Sequence, residues 1–118
     1  MTDKYVIYHN ARCSKSRETL QLLRDAGVEP EIVHYLEMPP SADELARLVS
    51  MLGLPASKIV RFNEALAREL GLSSEDSRSD AEWCALLHAH PVLIERPIVV
   101  TPKGTVLARP LDRLADIL

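Results

Sequence analysis

Sulfur is scarce in this chain. Its two cysteines, Cys13 and Cys84, stand in unlike contexts and form no Cys-x-x-Cys pair. An internal dithiol couple is therefore absent, and a structural disulfide is not expected. The four histidines show no ligand spacing, so no metal is expected. No apolar run approaches the ~20 residues that a membrane-spanning helix needs. The stretch Met1 to Tyr5 leads straight into a strand pattern without the apolar region of a signal peptide. These absences point to the cytoplasm. The net charge of −3 argues against a general nucleic-acid binder, which usually carries a basic balance. No repeat, low-complexity tract or long linker divides the 118 residues, and the 47% hydrophobic content suits one domain with a real core.

What is present reads as alternating structure at the two ends and helices between them. Lys4 to Tyr8 is expected to be a short buried strand. Ser14 to Ala26 is expected to be a helix, with apolar pairs Leu20/Leu23 and Leu22/Ala26, ended by Gly27 and blocked by Pro30. Ile32 to Leu36 is a second strand, and strand–helix–strand implies a parallel pair. From Pro39 to Pro91 the pattern is helical throughout. Ser41-Ala-Asp-Glu44 and Ser79-Asp-Ala-Glu82 are capping boxes, and Asn63 is placed to cap a helix over Glu64 to Leu70. Ile98–Thr101 and Thr105–Ala108 form a hairpin around Pro102-Lys-Gly104. Pro110 starts a last helix with Leu111, Leu114 and Leu118 along one stripe. The order β-α-β, helical block, β-β-α describes a single α/β domain carrying an insertion.

Cys13 falls at the junction of the first strand and first helix. A helix N-terminus presents unpaired N–H groups and a positive dipole end, which favour a thiolate and can hold an oxyanion. The alternative is a packing cysteine, the commoner fate of a free thiol. The polar neighbours Asn10, Arg12, Ser14, Lys15, Ser16 and Arg17 favour reactivity. With Ser16 where a second cysteine would stand, an adduct at Cys13 must be resolved by an external thiol. His9 is either a support for the thiolate or a polar strand end. Cys84, beside Trp83, reads as core or bystander. Ten arginines outnumber four lysines. Arg24, Arg47, Arg68 and Arg113 read as solvated helix faces, whereas Arg96 and Arg109 each precede a proline beside a terminal strand. Guanidinium groups bind tetrahedral oxyanions bidentately. Pro97 at a strand start is compatible with a cis bond.

The segments HNARCSKSR, RFN, ERPIVVTPKGT and ARP, in this order, resemble the glutaredoxin-coupled arsenate reductase family across essentially the whole chain. The chain stops at Leu118 and carries Lys15 in its cysteine loop, which resembles the short, housekeeping branch. The resemblance implies a thioredoxin-like fold: a four-stranded mixed sheet with flanking helices and an inserted helical block. The core would be about 1–37 and 92–118, and the insertion about 38–91. It implies Cys13 as nucleophile, Arg61, Arg96 and Arg109 as oxyanion ligands, His9 and Ser16 as thiolate supports, and Pro97 as a cis proline facing the loop. It also implies arsenate as substrate, glutathione as co-substrate, glutaredoxin as partner, no bound cofactor or metal, and a monomer. Two other functions compete. One is an Spx-type transcriptional regulator that binds RNA polymerase, whose redox-sensing members generally carry Cys-x-x-Cys. The other is a glutathione-dependent thiol-disulfide oxidoreductase, which would need Cys13 but not the arginines.

Overall fold

The computed structural model of the chain describes residues 5–108 and residue 117. The chain divides into two compact units: the residues up to Met38 together with those from Arg96 onward, and Pro39–Glu95.

The first unit is built on a sheet. Strand β1 (Val6–His9) is followed by helix α1 (Ser14–Asp25) and strand β2 (Glu31–His34); β3 (Ile98–Thr101) and β4 (Gly104–Leu107) come late in the chain. The strand order is β2-β1-β3-β4. β1 and β2 are parallel, as a helical crossover requires, while β1–β3 and β3–β4 are antiparallel. This is the expected mixed sheet. The central strands carry the apolar runs: Ile7, Ile98 and Val99 are inaccessible to solvent. Helix α1 buries Ser16, Thr19, Leu20 and Leu23, a spacing that defines one face of a helix. Leu20 and Leu23 pack with Ile7, Val99, Ala108 and Ile117. Leu22 and Ala26, expected on that stripe, lie off the buried face and are exposed.

Several boundaries differ from expectation; α1 ends at Asp25 rather than Ala26 and β4 at Leu107 rather than Ala108. β1 runs to His9 rather than ending at Tyr8. β2 starts at Glu31 and stops at His34 rather than Leu36, because the His34 carbonyl accepts the N–H groups of both Glu37 and Met38 and turns the chain. The hairpin turn is Pro102–Lys103, with Gly104 already paired to Thr101. There the Thr101 hydroxyl donates to the Ile117 carbonyl and accepts the Lys103 N–H. Arg109 and the expected helix through Leu111, Leu114 and Leu118 lie outside the described residues.

The second unit is helical, with α2 (Ala42–Leu52), α3 (Ala65–Glu69) and α4 (Asp80–Ala89), and short 3-10 turns at Ala56–Ile59 and Pro91–Leu93. α2 packs on α4. Leu45, Leu48, Trp83 and Leu87 fill its interior, and Phe62 meets Trp83 edge-on at 5.7 Å. Gly53 ends α2 in the left-handed conformation (φ 68°), which glycine adopts without a Cβ penalty. The full reciprocal capping box is at Ser79 and Glu82. At Ser41 the side chain accepts the Glu44 N–H. Asn63 is not the cap of α3. Glu64 takes that position without a side-chain bond to the helix, because its carboxylate is engaged by Arg61. The unit also holds an isolated antiparallel bridge, Val60 to Ile94, which its helical sequence pattern did not foretell.

Ser79→Ala removes one half of the capping box and should lower stability by about 1 kcal/mol. Leu23→Ala empties a fully buried site in the sheet unit and should cost about 2–5 kcal/mol. Urea unfolding of both variants checks the order; equal midpoints would contradict it.

Candidate active site

The register gathers several chain segments at one end of the sheet. His9 ends β1 and pairs with His34 at the end of β2. Tyr8 opposes Ile98 across the antiparallel pair, so Pro97 follows in register opposite His9. The Pro97 carbonyl accepts the Ala108 N–H at 3.0 Å, bringing the end of β4 to the same place. The Arg96–Pro97 bond is cis. The turn that leaves His9 and enters α1 carries Cys13.

That turn is tied at almost every peptide. The Asn10 carbonyl accepts the Cys13 N–H at 3.0 Å, and the Asn10 side chain accepts the Arg12 N–H at 3.0 Å. Arg17 donates from Nη1 to the Ala11 carbonyl at 2.9 Å. Its own N–H donates to the Cys13 carbonyl at 3.0 Å. Cys13 is the N-cap residue of α1, in an extended conformation, and is 9% exposed. The N–H groups of Ser14, Lys15 and Ser16 come before the first intrahelical donor, and the first turn contains no acidic residue. The positive end of the helix thus remains uncompensated by its own side chains. Lys15 leans toward Glu18 at 3.7 Å across an exposed surface, an interaction of little energetic weight.

Ser16 locks this turn to the core. It has no solvent exposure, lying on the face of α1 that also carries Leu20 and Leu23. Its hydroxyl oxygen accepts the Asn10 N–H at 3.0 Å and lies 2.7 Å from His9 Nδ1. His9 is buried at 5% exposure. Burial is the main force pushing its pKa below the usual 6.5, followed by repulsion from His34, Arg24 and Arg17. His9 is therefore a neutral hydrogen-bonding partner at neutral pH. The His34 ring meets it edge-on, 5.9 Å away and at 66°. An open pocket of ≈ 300 Å³ lies against both histidines and the turn, lined by residues 9–12, His34, Leu36 and Glu37.

The arginines divide differently. Arg96 is half-buried beside Pro97, in the same unit as Cys13. Arg61 belongs to the helical unit. There its Nη1 lies 2.7 Å from Glu64 and its Nε 3.4 Å from Glu95, with the side chain 13% exposed. Its N–H donates to the Leu93 carbonyl at 2.8 Å. Arg109 lies outside the described residues. Cys84 is 2% exposed in the helical unit, and burial, then Asp80, push its thiol pKa up. Among the described residues no three His, Cys, Asp or Glu side chains cluster as metal ligands, and no helix is long and apolar enough to cross a membrane.

Sequence reasoning named Asn10 and Arg17 only as polar neighbours of Cys13, and weighed His34 only as a metal ligand, with no part in this turn. Asn10 carried a usable signal, since asparagine readily bonds the backbone two residues onward. His34 carried none, because its meeting with His9 depends on strand register. Glu64 could be paired with Arg61 from its three-residue spacing, whereas Glu95 could not.

Ser16→Ala leaves the Asn10 N–H and His9 Nδ1 without their shared partner and should cost about 1–3 kcal/mol. The His9 effect has a definite sign. Its folded pKa lies below the unfolded value, so the unfolded chain binds its proton more readily. The stability this contributes is complete above about pH 6.5 and is lost as pH falls through the folded value. His9→Asn should therefore flatten the fall of stability between neutral and mildly acidic pH in urea titrations. An unchanged slope would contradict the neutral assignment.

Residues 8–117 match the family model described as the ArsC family. A relative named arsenate reductase, from Acidiphilium multivorum, is 47% identical over 112 residues, covering 95% of this chain and 79% of the relative. The uncharacterized protein YfgD of Escherichia coli (strain K12) is 44% identical over 118 residues, covering 99% of this chain and 98% of its own. The solved structure of an arsenate reductase from Vibrio cholerae is 44% identical and superposes with a TM-score of 0.91, covering 100% of both chains. The mixed sheet is thus that of the thioredoxin-like arsenate reductases, and with the family match running from the end of β1 through the Cys13 turn to the last strands, the chain belongs to the ArsC family.

Proposed function

We propose that this protein is an arsenate reductase acting through the lone thiolate of Cys13, with glutathione and glutaredoxin as electron donors. The observation that carries this is the position of Cys13: the N-cap of α1, in a turn braced by Asn10, Ser16 and Arg17. Relatives named arsenate reductase at about 46% identity support it. The helix end supplies fixed positive potential for both a thiolate and a tetrahedral oxyanion. Arg96, Arg61 and Arg109 are assigned as the oxyanion's guanidinium ligands, and His9 and Ser16 as supports of the cysteine turn. A cytoplasmic monomer, in contact with the cellular glutathione pool, fits this chemistry.

In the first step the Cys13 sulfur bonds to arsenic and an arsenate oxygen leaves, protonated to water. Glutathione then adds its sulfur to arsenic, and a second oxygen leaves as hydroxide. The two sulfurs join as a Cys13–glutathione disulfide. The two electrons released reduce arsenic(V) to arsenic(III), which takes up a water and departs as arsenite. A glutaredoxin thiolate attacks the glutathione sulfur and frees Cys13. Cys84 is no substitute for the external thiol, because burial holds it protonated.

The test is arsenate-dependent NADPH consumption coupled through glutathione, glutaredoxin and glutathione reductase. Cys13→Ser should abolish it. Arg96→Ala should raise the KM for arsenate about 10-fold or more, the loss expected for a charge-assisted contact. Glu64→Gln frees Arg61 from a competing carboxylate and should lower that KM by about 2–5-fold, in keeping with a pair worth about 1 kcal/mol. A wild-type protein with no arsenate-dependent turnover would overturn the proposal.

A further inference from the structure

The pocket beside the cysteine turn has a composition unlike that of an oxyanion site. Its lining residues include one arginine, Arg12, and one glutamate, Glu37, both exposed. Among the described residues neither side chain makes an ion pair, with the other or with a third group. His9 adds no charge, being neutral, and Leu36 contributes apolar surface at 40% exposure. A free dianion entering here would meet Glu37 as well as Arg12, and its repulsion would offset its attraction. A molecule carrying both an ammonium and a carboxylate satisfies both groups at once. The volume of ≈ 300 Å³ is at the small end of ligand pockets, which suits an amino acid or short peptide.

The pocket is also contiguous with the nucleophile's turn. Asn10, Ala11 and Arg12 form its wall, and the next residue is Cys13. The chemistry proposed for Cys13 requires an external thiol at that point, because the Cys-x-x-Ser turn holds no resolving sulfur.

We propose that this pocket docks the reductant, a zwitterionic peptide thiol of the glutathione class, with Arg12 receiving a carboxylate and Glu37 the ammonium group. This rests on the assignment of Cys13 as the arsenate nucleophile, and it identifies where the second substrate sits. Docking raises the effective concentration of the thiol beside the arsenic adduct and leaves the oxyanion ligands to the other substrate.

Binding is tested apart from catalysis with S-methylglutathione, which has no thiol to react. Titrated into the isotope-labelled full-length chain, it should shift the amide resonances of Arg12, His34 and Glu37 in a saturable manner. Arg12→Ala and Glu37→Gln should each weaken binding about 5-fold, the scale of one exposed charge pair. In the coupled assay the same variants should raise the KM for glutathione about 5-fold while leaving the KM for arsenate in place. With 2-mercaptoethanol replacing glutathione, the variants should show no such penalty. Shifts confined to another surface, or an unchanged KM for glutathione in an enzyme that does reduce arsenate, would overturn the docking assignment. Saturable S-methylglutathione binding at this pocket in a protein that never reduces arsenate would support the pocket and overturn the nucleophile's proposed reaction, so the two failures are distinguishable.

Discussion

The hydroxyl of Ser16 is the tie on which the cysteine turn depends. It sits on the core face of α1, so the packing that buries Leu20 and Leu23 also fixes its position. From there it receives the Asn10 N–H and meets His9 Nδ1. One buried oxygen thereby couples the end of β1, the start of the turn and the first turn of α1. Loops are normally the mobile parts of a domain. This one is held in a single arrangement, and Cys13 inherits its orientation from that constraint. Such pre-organisation suits the nucleophilic role proposed for Cys13, because small misplacements cost rate steeply.

The electrostatics follow from burial and helix geometry more than from net charge. The whole chain is mildly acidic, yet the start of α1 carries no acid in its first turn. His9 is kept neutral chiefly by desolvation and then by His34, Arg24 and Arg17, so the positive potential near Cys13 arises from backbone dipoles and from arginine. Arg61 illustrates the opposite arrangement. Its guanidinium is held by Glu64 and Glu95, an arrangement that stiffens the side chain and makes any anion compete with two carboxylates.

Much of the fold was legible because it rests on local rules. The βαβ opening, the Ser79 box, the stop at Gly53 and the late hairpin all follow from propensity, capping and turn chemistry. The misreadings occurred where a side chain or carbonyl had a non-local or competing commitment. Asn63 lost the cap position to Glu64, whose carboxylate had gone to Arg61. β2 ended early because His34's carbonyl accepted two N–H groups of the following turn. Val60 and Ile94 paired as a bridge across an otherwise helical unit, a long-range contact that periodicity cannot reveal.

The sequence by itself put a single cysteine at the strand–helix junction, with no second cysteine in the turn to make an internal dithiol. Cys13 stands at a strand–helix junction, Ser16 replaces the second cysteine, and the ordered motifs around the arginines point to one family. These are properties of residue identity and spacing, which survive without coordinates. Only the tertiary structure decided how that thiol's turn is held and what lies beside it. Ser16 faces inward because of the packing of α1, and His9 is neutral because it is buried. His34 reaches His9 because two parallel strands share a register. Arg12 and Glu37, distant in sequence, face one pocket because β2 lies beside β1 and the chain turns immediately after His34. Burial and register are set by contacts between remote segments, which no local pattern encodes.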